Sequence, residues 1–247
     1  MLRFYTPADR RKSLLNLYRI QSITDYIESI SKIYIHKVYL KYAYVPHADY
    51  QDIHHHLSRM IDKASRVVFL GVYDLQKEMY YINKYPNKKF IAGDVSNKAL
   101  IKIAPYFSNV EVVQTTHIKF KDKPGDLIVI KVAEYFLSRQ ELSEFVKKGE
   151  NIIINMSHLY VPGWRWGIYA TLQEFRVFIV NSISLILNIR QWQFRGWWRT
   201  VDDFIDAASG SNKELKHIIF NKTTRTKLGL LYRASICYEK FLDNAPR

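Results

Sequence analysis

The sequence is short of cysteine, glycine, proline and acid, and it has no long apolar run. One cysteine, Cys237, in 247 residues excludes an internal disulfide framework and a multi-cysteine zinc site. Its apolar neighbours mark it as a core residue rather than a nucleophile. Nine glycines and seven prolines argue against long flexible linkers. No stretch reaches the roughly 18 apolar residues of a membrane span. The start, Met1 to Tyr5, lacks the apolar core of a secretory signal, so a cytoplasmic location is expected. Acids number 23 against 37 Lys and Arg, a formal net charge of +14. That surplus favours an anionic partner: nucleic acid, acidic lipid or an anionic ligand. The basic residues are spread along the chain, so a solvated Lys-rich surface explains them equally well.

What remains is an ordinary globular composition, 48% hydrophobic and 24% charged, with aromatics at 15%. The length suffices for a sizeable core. The chain is organised around Arg66–Val95. An apolar run (Val67, Val68, Phe69, Leu70) meets Gly71, then a helix-like stretch, then a second run (Phe90, Ile91, Ala92) ending in Asp94. Strand, turn, helix and a strand with an acid at its tip open a nucleotide-binding α/β domain.

Residues 1–65 read as a helical N-terminal extension. Leu14, Leu15, Leu17, Tyr18 and Ile20 form one apolar face, and Ile23, Ile27, Ile30 and Tyr34 recur at helical spacing. A third helix is expected over Asp49–Lys63, with Ile53, Leu57, Met60 and Ile61 on one side. From 66 to 247 the pattern is that of an α/β domain. Strands are expected at Val67–Val72, Lys89–Val95, Val110–Thr115, Leu127–Val132 and Ile152–Met156. Ser96 is placed to cap a helix running to Ala104, which Pro105 ends. Ser138 with Glu141 fits a capping box, and Lys147-Lys148-Gly149 fits the end of that helix. Thr200 with Asp203 starts another helix. Strands alternating with helices imply a parallel sheet with right-handed crossovers. Leu215–Asn221 and Leu230–Tyr238 are too close for a crossover and read as an antiparallel hairpin, with Thr223 to Gly229 as its loop.

The insertion at 162–199 holds all five tryptophans, Trp164, Trp166, Trp192, Trp197 and Trp198, interleaved with Arg165, Arg190, Arg195 and Arg199. These rings can stack on bases or sugars, lie at a lipid interface, or form a packed lid. Phe178–Ile189 is an apolar helix candidate too short to span a bilayer. His54-His55-His56, with His47 and Asp49 nearby, suggests a metal cluster, but consecutive helical residues point about 100° apart and do not readily share one ion. No metal site is expected from that triplet.

Five alternating strands, a further helix and a terminal hairpin resemble the class I S-adenosylmethionine-dependent methyltransferases, over roughly Ser65 to Lys240. The resemblance implies a Rossmann-like seven-stranded sheet whose last strand is antiparallel, and S-adenosylmethionine as cofactor. In VVFLGVYDLQ it implies cofactor contacts from Gly71, Val72 and Tyr73, with one glycine where the family has several. In FIAGDVS it assigns the ribose-binding acid to Asp94, followed by Val95. A carboxylate suits that role because it accepts two hydrogen bonds from a vicinal diol. Thr115, Thr116 and His117 stand where the family often has an acid near the adenine, and Thr115 and Thr116 are taken as cofactor contacts. GDLIVIKVAEYFL places Lys131 and Glu134 at the end of the fourth strand. ENIIINMSHLYVP delivers Ser157, His158 and Tyr160 to the same edge. His158 is the candidate general base, because the unperturbed pKa of a histidine lies near neutrality; Tyr160 and Glu134 complete the candidate catalytic set.

The expected activity is methyl transfer to a small molecule, glycan or nucleic acid. Two alternatives stand beside it. One is a catalytically inactive methyltransferase-like scaffold, favoured by the single glycine. The other is a nucleic-acid- or membrane-surface-binding protein, favoured by the charge.

Overall fold

The computed structural model describes residues 48–72, 75, 77–131, 134, 137, 139–160, 199–226 and 229–240. It also describes the helical positions Leu172, Phe175, Ile179, Ser182, Ile183 and Ile186, and Leu187 beside them. The expected helices before residue 48, Ser138 and the five tryptophans lie outside the described residues.

The chain enters through a 3-10 turn, Ala48–Ile53, that leads into α1, His54–Lys63. The expected third helix is therefore two pieces, but its apolar face is as read: Ile53, Leu57, Met60 and Ile61 are all buried. Next come β1 (Arg66–Leu70), α2 (Met79–Lys84), β2 (Lys89–Asp94), α3 (Lys98–Ile103), β3 (Val110–Gln114), β4 (Asp126–Lys131), α4 (Arg139–Val146) and β5 (Asn151–Tyr160). The last elements are β6 (Arg199–Thr200), α5 (Val201–Ala208), β7 (Lys213–Thr226) and β8 (Gly229–Lys240).

The sheet order is β3-β2-β1-β4-β5-β8-β7. The first five strands are mutually parallel, and β8 lies antiparallel between β5 and β7. This is the expected seven-stranded arrangement. A two-residue strand, β6, adds to it by pairing with the end of β5.

The apolar runs form strands because both of their faces are covered. Val67, Phe69, Phe90, Ala92, Leu127 and Val129 pack on one side against α1, α2 and α3. Val68, Leu70, Ile91, Ile128, Ile130 and Ile154 pack on the other, against α4 and α5. Cys237 is fully buried on the first face, and burial pushes its thiol up to about 12. It is a core residue, as expected.

Local signals fared unevenly. Thr200 and Asp203 form the expected capping box of α5, each side chain bonding the other's backbone N–H. Gly149 follows α4 with φ +59, the left-handed position that favours glycine after a helix. Ser96 does not cap α3. Asn97 holds that position without a side-chain bond, and Pro105 sits in a separate 3-10 turn, Ala104–Tyr106. The Ser96 N–H instead donates to Asp94. Strand β5 runs on to Tyr160 rather than ending at Met156, because β6 and β8 pair with its last residues from either side. Thr223 to Thr226 are likewise strand, not loop.

Candidate active site

The parallel register lines up the strand ends. Leu70 pairs with Gly93 and with Ile130, Asp94 with Gln114, and Lys131 with Asn155. Gly71, Asp94, Thr115 and Lys131 therefore stand in one row along the C-terminal edge. Strand order reverses between β1 and β4, and an open α/β sheet binds ligands in the crevice at such a reversal.

Gly71 opens the crevice. Its φ is +72, and its N–H donates to the Gly93 carbonyl at 2.8 Å. An L side chain rarely adopts that backbone, so glycine is required for the turn itself. The Val72 carbonyl then accepts the Leu75 N–H at 2.9 Å. Leu75 is left-handed too, at φ 57, and fully buried. The loop thus closes tightly, with a leucine driven into the core. Tyr73 and Asp74 lie outside the described residues.

Asp94 ends β2 and is only 3% exposed. Its Oδ1 accepts the Ser96 N–H at 3.3 Å, and its carbonyl accepts the Thr115 N–H at 2.9 Å. The Val95 carbonyl accepts from Gln114 Nε2 at 3.0 Å. The Thr115 hydroxyl donates to the Thr116 carbonyl at 3.1 Å, and the Thr116 hydroxyl accepts the Lys119 N–H at 3.1 Å. Both threonines thereby shape the turn after β3. Burial pushes the His117 imidazole down to about 4, so it is neutral at physiological pH.

At the tip of β4 the structure adds residues the sequence did not single out. Lys131 Nζ lies 2.5 Å from Asp49 Oδ2, and Lys77 Nζ lies 2.7 Å from the same oxygen. Burial works to raise the Asp49 carboxyl, but the two ammonium groups outweigh it and hold it at about 2. Burial brings Lys131 down to about 8, with Glu78 opposing and Lys77 adding to the fall. Tyr50 donates to Glu78 Oε1 at 2.6 Å. Asn155 Nδ2 donates to the Asp49 carbonyl at 3.0 Å, and Ser235 donates to Asn155 Oδ1 at 2.7 Å. Asp49, Tyr50, Lys77, Glu78 and Asn155 thus hold the N-terminal 3-10 turn over the sheet edge. The one sequence signal for them was a polar pair, Asp49-Tyr50, at the head of an apolar helix face.

Glu134 comes after β4 and is fully buried. His158 and Tyr160 lie within β5, opposite Arg233 and Leu231 of β8. Their side chains lie outside the described residues.

In chemical terms the edge offers a backbone turn at Gly71, a carboxylate at Asp94 and, at Lys131, an ammonium group paired with Asp49. These suit a ligand with a diol at one point and an anionic group at another.

No protein-family model matches the chain, and no curated protein sequence matches it. The fold does have solved counterparts. Two structures of magnesium protoporphyrin IX methyltransferase from Synechocystis PCC 6803 are similar, one with S-adenosylmethionine bound and one with S-adenosylhomocysteine. Their TM-scores are 0.52 and 0.53, each over 90% of this chain and over 97% and 100% of theirs. Sequence identity is 9% and 11%, so the likeness is one of architecture. Strand order, the antiparallel β8 between β5 and β7, and this likeness over nearly the whole chain together show the class I methyltransferase fold.

Proposed function

We propose that the chain is an S-adenosylmethionine-dependent methyltransferase. The observation that carries this reading is Asp94 at the tip of β2, next to the left-handed Gly71 turn at the strand-order reversal. The bound ligands of the two similar structures support it. Asp94 would accept the ribose hydroxyls, and the backbone at Gly71, Val72 and Tyr73 would face the amino-acid part. Val95, Thr115 and Thr116 would flank the adenine. Lys131 would meet the carboxylate, exchanging Asp49 for it. The cofactor supplies an electrophilic methyl group, and the chain's task is to align an acceptor atom with it. His158 is the proposed base for an acceptor proton, with Tyr160 and Glu134 lining the acceptor side.

One observation bears on the acceptor. Leu172, Phe175, Ile179, Ile183 and Ile186 are helical and exposed, Ile186 by 80%. Leu187, also exposed, donates its N–H to the Ile183 carbonyl and prolongs the same turn. In sequence these positions recur three or four residues apart, the spacing of a helical face. An apolar stripe on a chain of net charge +14 fits an anionic lipid surface. Among the described residues no helix is long and apolar enough to cross a membrane, so the contact proposed is peripheral.

Incubation with methyl-labelled S-adenosylmethionine and a cell extract split into membrane and soluble fractions tests both points. Label is expected in the membrane fraction and is expected to fall at least tenfold with Ile186→Glu. Label confined to the soluble fraction would remove the lipid-surface reading. No label in either would favour the inactive scaffold, the reading supported by a loop with one glycine and a buried left-handed Leu75.

A further inference from the structure

The three consecutive histidines of α1 meet three different surroundings. His54 Nδ1 lies 3.1 Å from the Tyr81 hydroxyl, and His55 is exposed. His56 turns toward the β7–β8 hairpin, where two further ligand residues meet it. Its Nε2 lies 3.4 Å from Glu239 Oε1. His217 Nε2 lies 3.7 Å from the same oxygen. The three ligand atoms all fall within 4.8 Å of one another.

A backbone irregularity brings His217 there. Glu214 and Leu215 pair with Glu239 and Tyr238, but the next pair is His217 with Cys237, so Lys216 is an extra residue. Leu215 packs on the face covered by α4 and α5, whereas Ile219 packs on the face covered by α1. Simple alternation would put residues 215, 217 and 219 on one face. The bulge at Lys216 turns His217 to the α1 side, beside Cys237 and Glu239. Re-aiming one side chain is what bulges at sheet edges commonly do.

We propose that His56, His217 and Glu239 form a divalent-cation site of the zinc type, with its fourth position open to solvent. Two imidazoles and a carboxylate are an established zinc donor set, and metal-ligand distances of about 2.1 Å put tetrahedral ligand atoms about 3.4 Å apart. The two measured separations need little adjustment to meet that spacing. His56 Nε2 and Glu239 Oε1 are both buried, make no hydrogen bond and lie 3.4 Å from each other, and a cation between them would bind both. His217 remains 42% exposed, so a water can complete the shell.

Arg59 opposes loading. Its Nη2 lies 3.1 Å from His56 Nδ1 and 3.8 Å from Glu239 Oε1. Donation to Nδ1 leaves the proton of the neutral ring on Nε2, the atom that must bind metal. Loading therefore moves that proton to Nδ1 and turns the Arg59 guanidinium away; its side chain is 57% exposed and has room to turn. A bound ion would clip α1 to the C-terminal hairpin, two segments at opposite ends of the described chain. The site is separate from the strand-order reversal and does not rest on the methyltransferase reading.

Titration of the untagged, chelator-treated full chain with Zn2+, and with Co2+ read by its visible absorption, tests the proposal. One equivalent is expected to bind, with a Co2+ spectrum of tetrahedral type and a higher Tm. His217→Ala, at an exposed position, should weaken binding by more than about tenfold. Arg59→Ala should tighten it. Glu239→Gln should behave as His217→Ala does if it folds, and the far-UV spectrum of each variant reports that. Absence of saturable one-site binding in the wild-type chain would overturn the proposal. So would His217→Ala binding with wild-type affinity, which would place the ion elsewhere, for example at His47 or His55.

Discussion

Asp126→Ala is expected to cost about 3–5 kcal/mol of folding stability, a large part of the roughly 5–15 kcal/mol a domain possesses. Asp126 opens β4 and is 1% exposed. Its carboxylate accepts two parallel bonds from Arg66 at the start of β1, Nε to Oδ1 at 2.8 Å and Nη2 to Oδ2 at 2.6 Å. Oδ2 also accepts the Lys123 N–H at 2.8 Å. Truncation leaves a largely buried guanidinium and a backbone N–H without their acceptor, and an unpaired buried charge costs far more than the intact pair gains. Replacing both partners with apolar residues, Arg66→Met with Asp126→Leu, should recover most of the loss. Urea denaturation of the wild type and the two variants checks this. A loss below about 1 kcal/mol for Asp126→Ala would mean that the pair is no more than a surface contact.

Asp94→Ala is expected to weaken binding of S-adenosylmethionine about a hundredfold, since each hydrogen bond to a charged group contributes about 1.5–3 kcal/mol. Asp94 Oδ1 accepts the Ser96 N–H in the ligand-free chain. Asp94→Asn keeps an acceptor and the Ser96 bond and should fall between the two. Unchanged affinity in the alanine variant would remove Asp94 from the ribose site while leaving the fold assignment untouched. Calorimetry on folded variants separates binding from stability.

The central sheet was legible because its signals are local. Val67–Leu70 and Leu127–Ile130 are continuous apolar runs, and such runs need both faces covered. Gly71 and Asp94 could be placed because each sits at the C-terminal end of such a run, where the chain leaves the sheet. The Thr200–Asp203 box spans one helical turn. The features that escaped the sequence depend on long-range meeting or on backbone irregularity. Asn155 reaches the Asp49 carbonyl across 106 positions, and no spacing rule carries that distance. Lys131 looked like an open strand-tip cation, yet Asp49 and Lys77 share its place. Consecutive histidines on a helix do not share one ion, whereas His56 finds its partners through a bulge at Lys216 that alternation does not foresee. Ser96 looked like a helix cap because serine is a good one, but the Asp94 carboxylate took its N–H first.

The crevice between β1 and β4 is expected to receive a nucleoside cofactor although its first loop has one glycine. Isothermal titration of the full chain with S-adenosylhomocysteine measures this most directly, since the product needs no acceptor and cannot react. One equivalent is expected to bind, with micromolar affinity in the wild type and much weaker affinity in Asp94→Ala. A folded wild-type chain that gives no heat at millimolar ligand would contradict it.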